Sequence, residues 1–219
     1  DPALLDTYDA ERRPVAERLL RTTDRLFTML VSDGWVAALL RTRLIAKIVA
    51  LAMTRSRART LAFRTISQIG IRYRTSALSR TAGNLAAGGP QAGDRFPWVE
   101  LVLKDGAPSQ DLFDQRDDTR FQLLVFGQPE AGAAAAGELQ GPSNLVDITV
   151  VPSHAVNEAA LARARISQPS FFLLRPDGYI GLAGAQLDID AVRSYLREKP
   201  LQIDIGGSER RTSWTLRPA

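Results

Sequence analysis

The stretch from Ser79 to Gly93 divides this chain into two kinds of pattern. It carries Gly83, Gly88, Gly89, Pro90 and Gly93, with Asn84 and little bulk, a composition that makes a loop or linker. Before it, apolar residues recur at helical spacing. After it they come in short runs separated by turn signals, which is the habit of strands. The expected organisation is a helical segment over 1–80, a linker over 81–93, a mixed α/β unit over 94–199 and a tail over 200–219. Charge divides at the same place: residues 1–80 hold 15 Arg or Lys against 7 Asp or Glu, and residues 81–219 hold 13 against 17. A basic segment suits nucleic acid, anionic lipid or an acidic protein surface, but the commoner outcome is a solvated, arginine-rich helix face.

Within the first segment, Asp1-Pro2 is a helix start, since Asp accepts from first-turn amides and Pro suits the first helical position. Leu4, Leu5 and Tyr8 follow at helical spacing. Pro14 removes an amide donor and is expected to kink or restart the helix. Val15, Leu19, Leu26 and Leu30, with Phe27 and Val31, continue an apolar stripe of period near 3.6, and Ser32-Asp33-Gly34 ends it. A second helix is expected from about Trp35 to Met53 and a third from about Ser56 to Ile69, with Gly70 as the stop. Such one-sided helices need a partner surface. Glu11, Arg12 and Arg13 place acid beside base, but neighbours on a helix point in different directions, so a structural role is expected for them.

Beyond the linker, Trp98–Leu103 reads as a strand, Lys104-Asp105-Gly106 as a turn, and residues 111–114 as the return of a short hairpin. Phe121–Phe126 is a buried strand, the Ala/Gly-rich stretch 129–140 a helix, and 144–152 a second buried strand. A helix follows over 157–166, opening near an Asn cap. Phe171–Leu174 and Tyr179–Leu182 form a hairpin turned by Arg175-Pro176-Asp177-Gly178, and a helix over 189–196 is capped by Asp188 or Asp190. Strand, helix, strand, helix, hairpin, helix is the order of a thioredoxin-like domain. In such folds a cis proline precedes the hairpin, so a cis Gln168–Pro169 bond is expected.

The chain holds no cysteine, which excludes disulfides, thiolate catalysis and Cys-rich metal sites. Gly127-Gln128-Pro129-Glu130 stands after the first buried strand, where redox exchange would need a thiolate at a helix amino terminus. The fold class is therefore α/β with a thioredoxin-like domain lacking a CxxC motif. His154, the single histidine, has no local partner for general-base work and reads as a surface or loop-packing residue. No carboxylate or His cluster stands at metal-ligand spacing, no Gly-x-Gly-x-x-Gly fingerprint is present, and the Gly83–Gly89 stretch lacks the Lys-Ser/Thr of a phosphate loop. No catalytic, cofactor-binding or metal-ligating residue is assigned. The longest apolar runs, such as Ile48–Met53, fall far short of the roughly 20 residues of a membrane span, and dispersed tryptophans offer no stacking platform for nucleic acid. Cysteine usage and the lack of a signal peptide fit a cytoplasmic protein.

Leu4-Leu5-Asp6-Thr7-Tyr8-Asp9-Ala10-Glu11-Arg12-Arg13-Pro14-Val15-Ala16 resembles the helix that follows the flavin-binding core in the FAD-dependent aromatic-ring hydroxylases, the group A flavoprotein monooxygenases. Residues 66–74 (ISQIGIRYR) resemble the end of that family's helical bridge. Phe171-Phe172-Leu173-Leu174-Arg175-Pro176-Asp177-Gly178-Tyr179-Ile180 is similar to the hairpin of its thioredoxin-like third domain. Gly93-Asp94-Arg95 follows a linker and opens that domain, so it does not correspond to the family's flavin-contacting Gly-Asp motif. The resemblance runs from Leu4 to about Lys199, and the tail with Gly206-Gly207-Ser208 and Trp214 matches nothing in it.

The resemblance implies a carboxy-terminal portion of an enzyme that uses FAD and NAD(P)H to hydroxylate an aromatic substrate. This chain would then be inactive by itself, would bind neither cofactor, and would serve as scaffold or homodimer contact beside missing N-terminal FAD and substrate domains. The other reading is a stand-alone thioredoxin-like interaction module with a basic helical arm and no enzymatic activity. Salt-sensitive retention on DNA or anionic vesicles would distinguish it.

Overall fold

A computed structural model describes residues 2–31, 38–39, 42–43, 46–104, 106–114, 116–139 and 145–198. The arm comprises α1 (Pro2–Val31), α2 (Ala46–Met53) and α3 (Ser56–Ile66). The expected cap at Asp1, the stop at Ser32-Asp33-Gly34, the start of the second helix near Trp35 and the tail over 200–219 lie outside the described residues. Pro14 does not interrupt α1, which runs continuously through it. Losing one backbone donor removes a single helical bond, and the turns on either side continue the helix. The third helix stops at Ile66, short of Ile69, because Ser67 caps it and Gln68 turns left-handed at φ 56°.

The domain elements are β1 (Arg80–Ala82), β2 (Glu100–Leu101), β3 (Gln110–Asp111), β4 (Phe121–Phe126), α4 (Pro129–Leu139), β5 (Val146–Val151), α5 (Ala155–Ala164), β6 (Ser170–Leu174), β7 (Ile180–Gly184) and α6 (Ile189–Arg197). Five strands form one sheet in the order β1-β7-β6-β4-β5. β4 and β5 run parallel, as their intervening helix requires, while β6 is antiparallel to both β4 and β7. This is the thioredoxin-like arrangement, and the Gln168–Pro169 bond ahead of β6 is cis. The Gly-rich stretch contributes more than a connection: Arg80–Ala82 adds β1 in parallel to β7. The strand expected over Trp98–Leu103 is confined to Glu100–Leu101, paired antiparallel with Gln110–Asp111.

Period-two alternation gives the sheet two buried faces. Leu124, Phe126, Phe172 and Leu174 point into a core completed by Phe96, Leu101, Leu112 and Leu161. Leu123, Val125, Phe171 and Leu173 point into the opposite core, beneath α4 and α6, with Leu139, Val192 and Tyr195. Phe96 and Phe172 meet edge to face at 5.4 Å between centroids, and Phe126 joins them at 6.0 Å from Phe172, the arrangement that ring quadrupoles favour. Gly132 allows α4 to lie against β5, since a Cβ there would overlap the Val150 side chain.

One helix start differs from the sequence expectation, and the other follows it. α5 opens at Ala155, capped by His154, whose Nδ1 accepts from the Val156 amide at 3.2 Å. Asn157 is instead buried in the first turn. Its Oδ1 accepts from the Val102 amide at 2.8 Å, and its Nδ2 donates to the carbonyls of Val102 and Pro152, both at 2.9 Å. A single amide thus ties α5 to β2 and to the end of β5. α6 is capped by Asp188, which accepts from the Ala191 amide at 3.0 Å.

Candidate functional site

The arm meets the domain through charged side chains that both elements bury. Glu11, from the middle of α1, and Arg175, at the end of β6, are each 7% exposed. Their groups pair in the bidentate fashion: Arg175 donates to Glu11 Oε1 at 2.7 Å and to Glu11 Oε2 at 2.8 Å. The same guanidinium donates to both Asp177 oxygens, at 3.2 and 2.6 Å. Ser76 Oγ donates to Glu11 Oε1 at 2.5 Å, and Arg12 approaches Asp177 at 3.6 Å. Two carboxylates therefore face two guanidiniums, and the cluster is close to neutral.

Local chemistry explains the positions. The turn Arg175-Pro176-Asp177-Gly178 places Gly178 at φ 80°, a conformation available to glycine without steric penalty. Its amide returns to the Arg175 carbonyl at 2.9 Å, and Asp177 accepts from the Tyr179 amide at 3.2 Å. Arg175 and Asp177 are thereby held on one side of the turn. Burial alone would weaken the charge on Arg175, but Glu11 and Asp177 outweigh it and hold the guanidinium above its ordinary pKa.

Aromatic rings enclose this cluster. The Arg12 guanidinium lies 5.6 Å from the Tyr8 ring and 5.3 Å from Tyr73, while Arg175 lies 5.8 Å from Tyr179, all within cation–π range. Tyr73 and Tyr179 are 4.6 Å apart. Burial, and then the neighbouring Tyr179, push the Tyr73 hydroxyl up to about 12. The connecting segment is fastened separately. Tyr73 donates its amide to Gly93 at 2.7 Å, Arg74 holds Asp94 at 2.8 and 2.6 Å, and the Tyr195 hydroxyl donates to the Leu78 carbonyl at 2.8 Å. Gly93, at φ 85°, sits so close to Tyr73 and Arg74 that a Cβ would strike their backbone.

Beside the cluster, α1, α3 and residues 70–77 enclose a groove of about 750 Å³ whose lining includes Val15, Leu19, Leu61 and Tyr73. The apolar residues of the arm stay largely uncovered: Phe27 is 64% exposed and Ile66 83%. Singly exposed apolar residues are ordinary, whereas here they recur along α1 and α3.

Glu11 and Arg12, read from the sequence as structural, stand in this network, and Arg175 and Asp177 of the hairpin join them. Gln128, at the position of a redox thiolate, ties loops together: it accepts from the Leu187 amide at 2.8 Å and donates to the Ala185 carbonyl at 3.3 Å. The sequence reading missed the pairing of Glu11 with Arg175. The available signal was an arginine beside the hairpin turn on one side and an acid within an apolar stripe on the other. The arrangement binds and orients; its carboxylates are already engaged by arginine.

A family model described as aromatic-ring hydroxylase, C-terminal, matches residues 89–199, just over half of the chain. Over 139 residues the chain is 34% identical to pentachlorophenol 4-monooxygenase of Sphingobium chlorophenolicum, which covers 64% of this chain and 23% of that protein. It is 30% identical over 181 residues to anhydrotetracycline monooxygenase of Streptomyces rimosus, covering 82% of this chain and 30% of that one. The solved structure of the anhydrotetracycline hydroxylase OxyS from Streptomyces rimosus is similar over 90% of this chain and 35% of its own, with a TM-score of 0.59 at 26% identity. The chain spans about a third or less of the length of the curated relatives it matches. No helix among the described residues is long and apolar enough to cross a membrane.

Proposed function

The chain belongs to the aromatic-ring hydroxylase family through its C-terminal domain, and from that premise we propose that it is the carboxy-terminal part of an FAD- and NAD(P)H-dependent monooxygenase acting on an aromatic substrate. In this reading residues 2–79 buttress the flavin-binding part, and the thioredoxin-like domain serves as scaffold and homodimer contact. The chemistry belongs to the flavin, which supplies activated oxygen when bound. This chain's contribution is a rigid mount: the Glu11–Arg175 cluster and the Tyr195–Leu78 bond hold α1 and the connecting segment against the sheet.

One observation carries the reading. The arm presents Leu19, Phe27, Leu61, Phe63 and Ile66 largely uncovered, and the match to this arm and domain takes up only 35% of the solved OxyS chain. The uncovered face is where the remaining protein is proposed to pack. The flavin-dependent monooxygenase PieE, a solved structure of the same fold, holds FAD and substrate.

The test is titration of FAD into the 219-residue chain, followed by the same titration into the polypeptide extended through the coding region upstream of Asp1. Saturable binding by the extended protein alone, with NAD(P)H oxidation stimulated by an aromatic compound, is the expected outcome. Stoichiometric FAD binding by residues 1–219, or an upstream region without a nucleotide-binding βαβ unit, would overturn it.

A further inference from the structure

We propose that the Glu-Arg-Arg-Pro segment of α1 and the Arg-Pro-Asp-Gly turn are two halves of one ionic latch, which sets the position of the arm on the domain. The inference rests on the proposed function only in identifying α1 with the flavin side of the parent enzyme. The latch itself is argued from geometry.

α1 is otherwise poorly held. Glu11 is its buried residue in the described stretch, and Leu5, Tyr8, Leu19, Leu20 and Phe27 around it are exposed. The apolar burial that normally fixes a helix on a domain is therefore small here, and a bidentate ion pair takes its place. Both oxygens of the Glu11 carboxylate are engaged: Oε2 by Arg175 of the domain, and Oε1 by Arg175 and by Ser76 of the connecting segment. The hairpin, in turn, is stiff. Asp177 braces the Arg175 guanidinium, the Tyr179 ring flanks it, and β6 lies in the middle of the sheet between β7 and β4. A bidentate pair fixes direction as well as distance, because the guanidinium fork accepts a carboxylate in one plane. Arg12, stacked between Tyr8 and Tyr73 and 3.6 Å from Asp177, restricts rotation of α1 about its axis. The family match begins at residue 89, but the unit that holds its shape begins on α1.

Hydrogen exchange on the full 219-residue chain tests the latch. Protection of the central α1 amides, around Ala10–Ala16, is compared with protection of β4. In Glu11→Ala, α1 protection is expected to fall about a hundredfold, as befits the loss of two charge-assisted hydrogen bonds from a buried arginine that keeps only Asp177, while β4 changes by less than about threefold, because Glu11 lies outside the sheet core. Glu11→Gln keeps the shape without the charge and falls between. The double variant Glu11→Ala with Arg175→Met loses no more α1 protection than the worse single variant, the sign of one shared interaction. Glu17→Gln, whose carboxylate pairs with exposed Arg21, serves as the control and leaves α1 unchanged. Unaltered α1 protection in Glu11→Ala, or losses that add in the double variant, overturns the proposal. Should Arg175→Met unfold the domain, Glu11→Ala decides alone. No flavin enters this measurement, so its failure leaves the family reading standing, and failure of FAD binding by the extended protein leaves the latch standing.

Discussion

Replacing Asn157 by alanine separates two accounts of one residue. If Asn157 merely opened a helix, its loss would cost about 1 kcal/mol, the usual value of a cap. In the structure its amide makes three hydrogen bonds to backbone groups, two at Val102 and one at Pro152, and the residue is 1% exposed. Alanine leaves the buried Val102 amide and carbonyl without partners, and each such group costs about 1–3 kcal/mol. Relaxation recovers part of this, so the expected loss is about 3–5 kcal/mol. With a urea slope of roughly 2 kcal/mol per molar, the unfolding midpoint drops by about 2 M. Asn157→Asp sharpens the test. Its carboxylate still accepts from the Val102 amide but sets a charged oxygen against two carbonyls, so at neutral pH it should be at least as damaging as alanine, and acid should partly rescue it. A loss below about 1.5 kcal/mol for alanine, or no rescue of Asp by acid, would refute the reasoning from buried polar satisfaction.

Other consequences follow from single contacts. Gly132→Val should destabilise the domain by about 1–3 kcal/mol through overlap with Val150, and Gly137→Ala, which meets open space, should be neutral or slightly stabilising in thermal melts. Burial raises the hydroxyl pKa of Tyr73 to about 12, and that of Tyr195 above its ordinary 10.0 as well. Both groups bind their protons more tightly folded than unfolded, so their stabilisation is complete below the ordinary value of 10.0 and is lost as pH rises toward about 12. Thermal melts across that window should fall less steeply in Tyr73→Phe, and an unchanged slope would count against the assignment. Phe27→Glu, at a position 64% exposed, should change domain stability by less than about 0.5 kcal/mol while reducing self-association in sedimentation, if the arm's apolar face is a contact surface.

Much of the fold was legible because its signals are local. Phe121–Phe126 and the hairpin over 171–182 announced themselves by apolar runs bounded by turn residues, and the cis proline followed from the element order. Gly132, within the Ala/Gly-rich stretch read as a helix, serves the packing of that helix on β5. Pro14 misled, since a single missing donor was weighed without the turns on either side of it. His154 and Asn157 exchanged expected roles: the imidazole caps α5 and the amide is buried.

What the residues determined alone were the elements and their two apolar faces, for helical and strand periods are properties of neighbours along the chain. The meeting of Glu11 with Arg175, 164 positions apart, was decided by tertiary structure. Charged side chains carry no intrinsic choice of partner. Only the sheet order brings the β6–β7 turn to α1, and burial there, rather than sequence spacing, makes that one pairing strong.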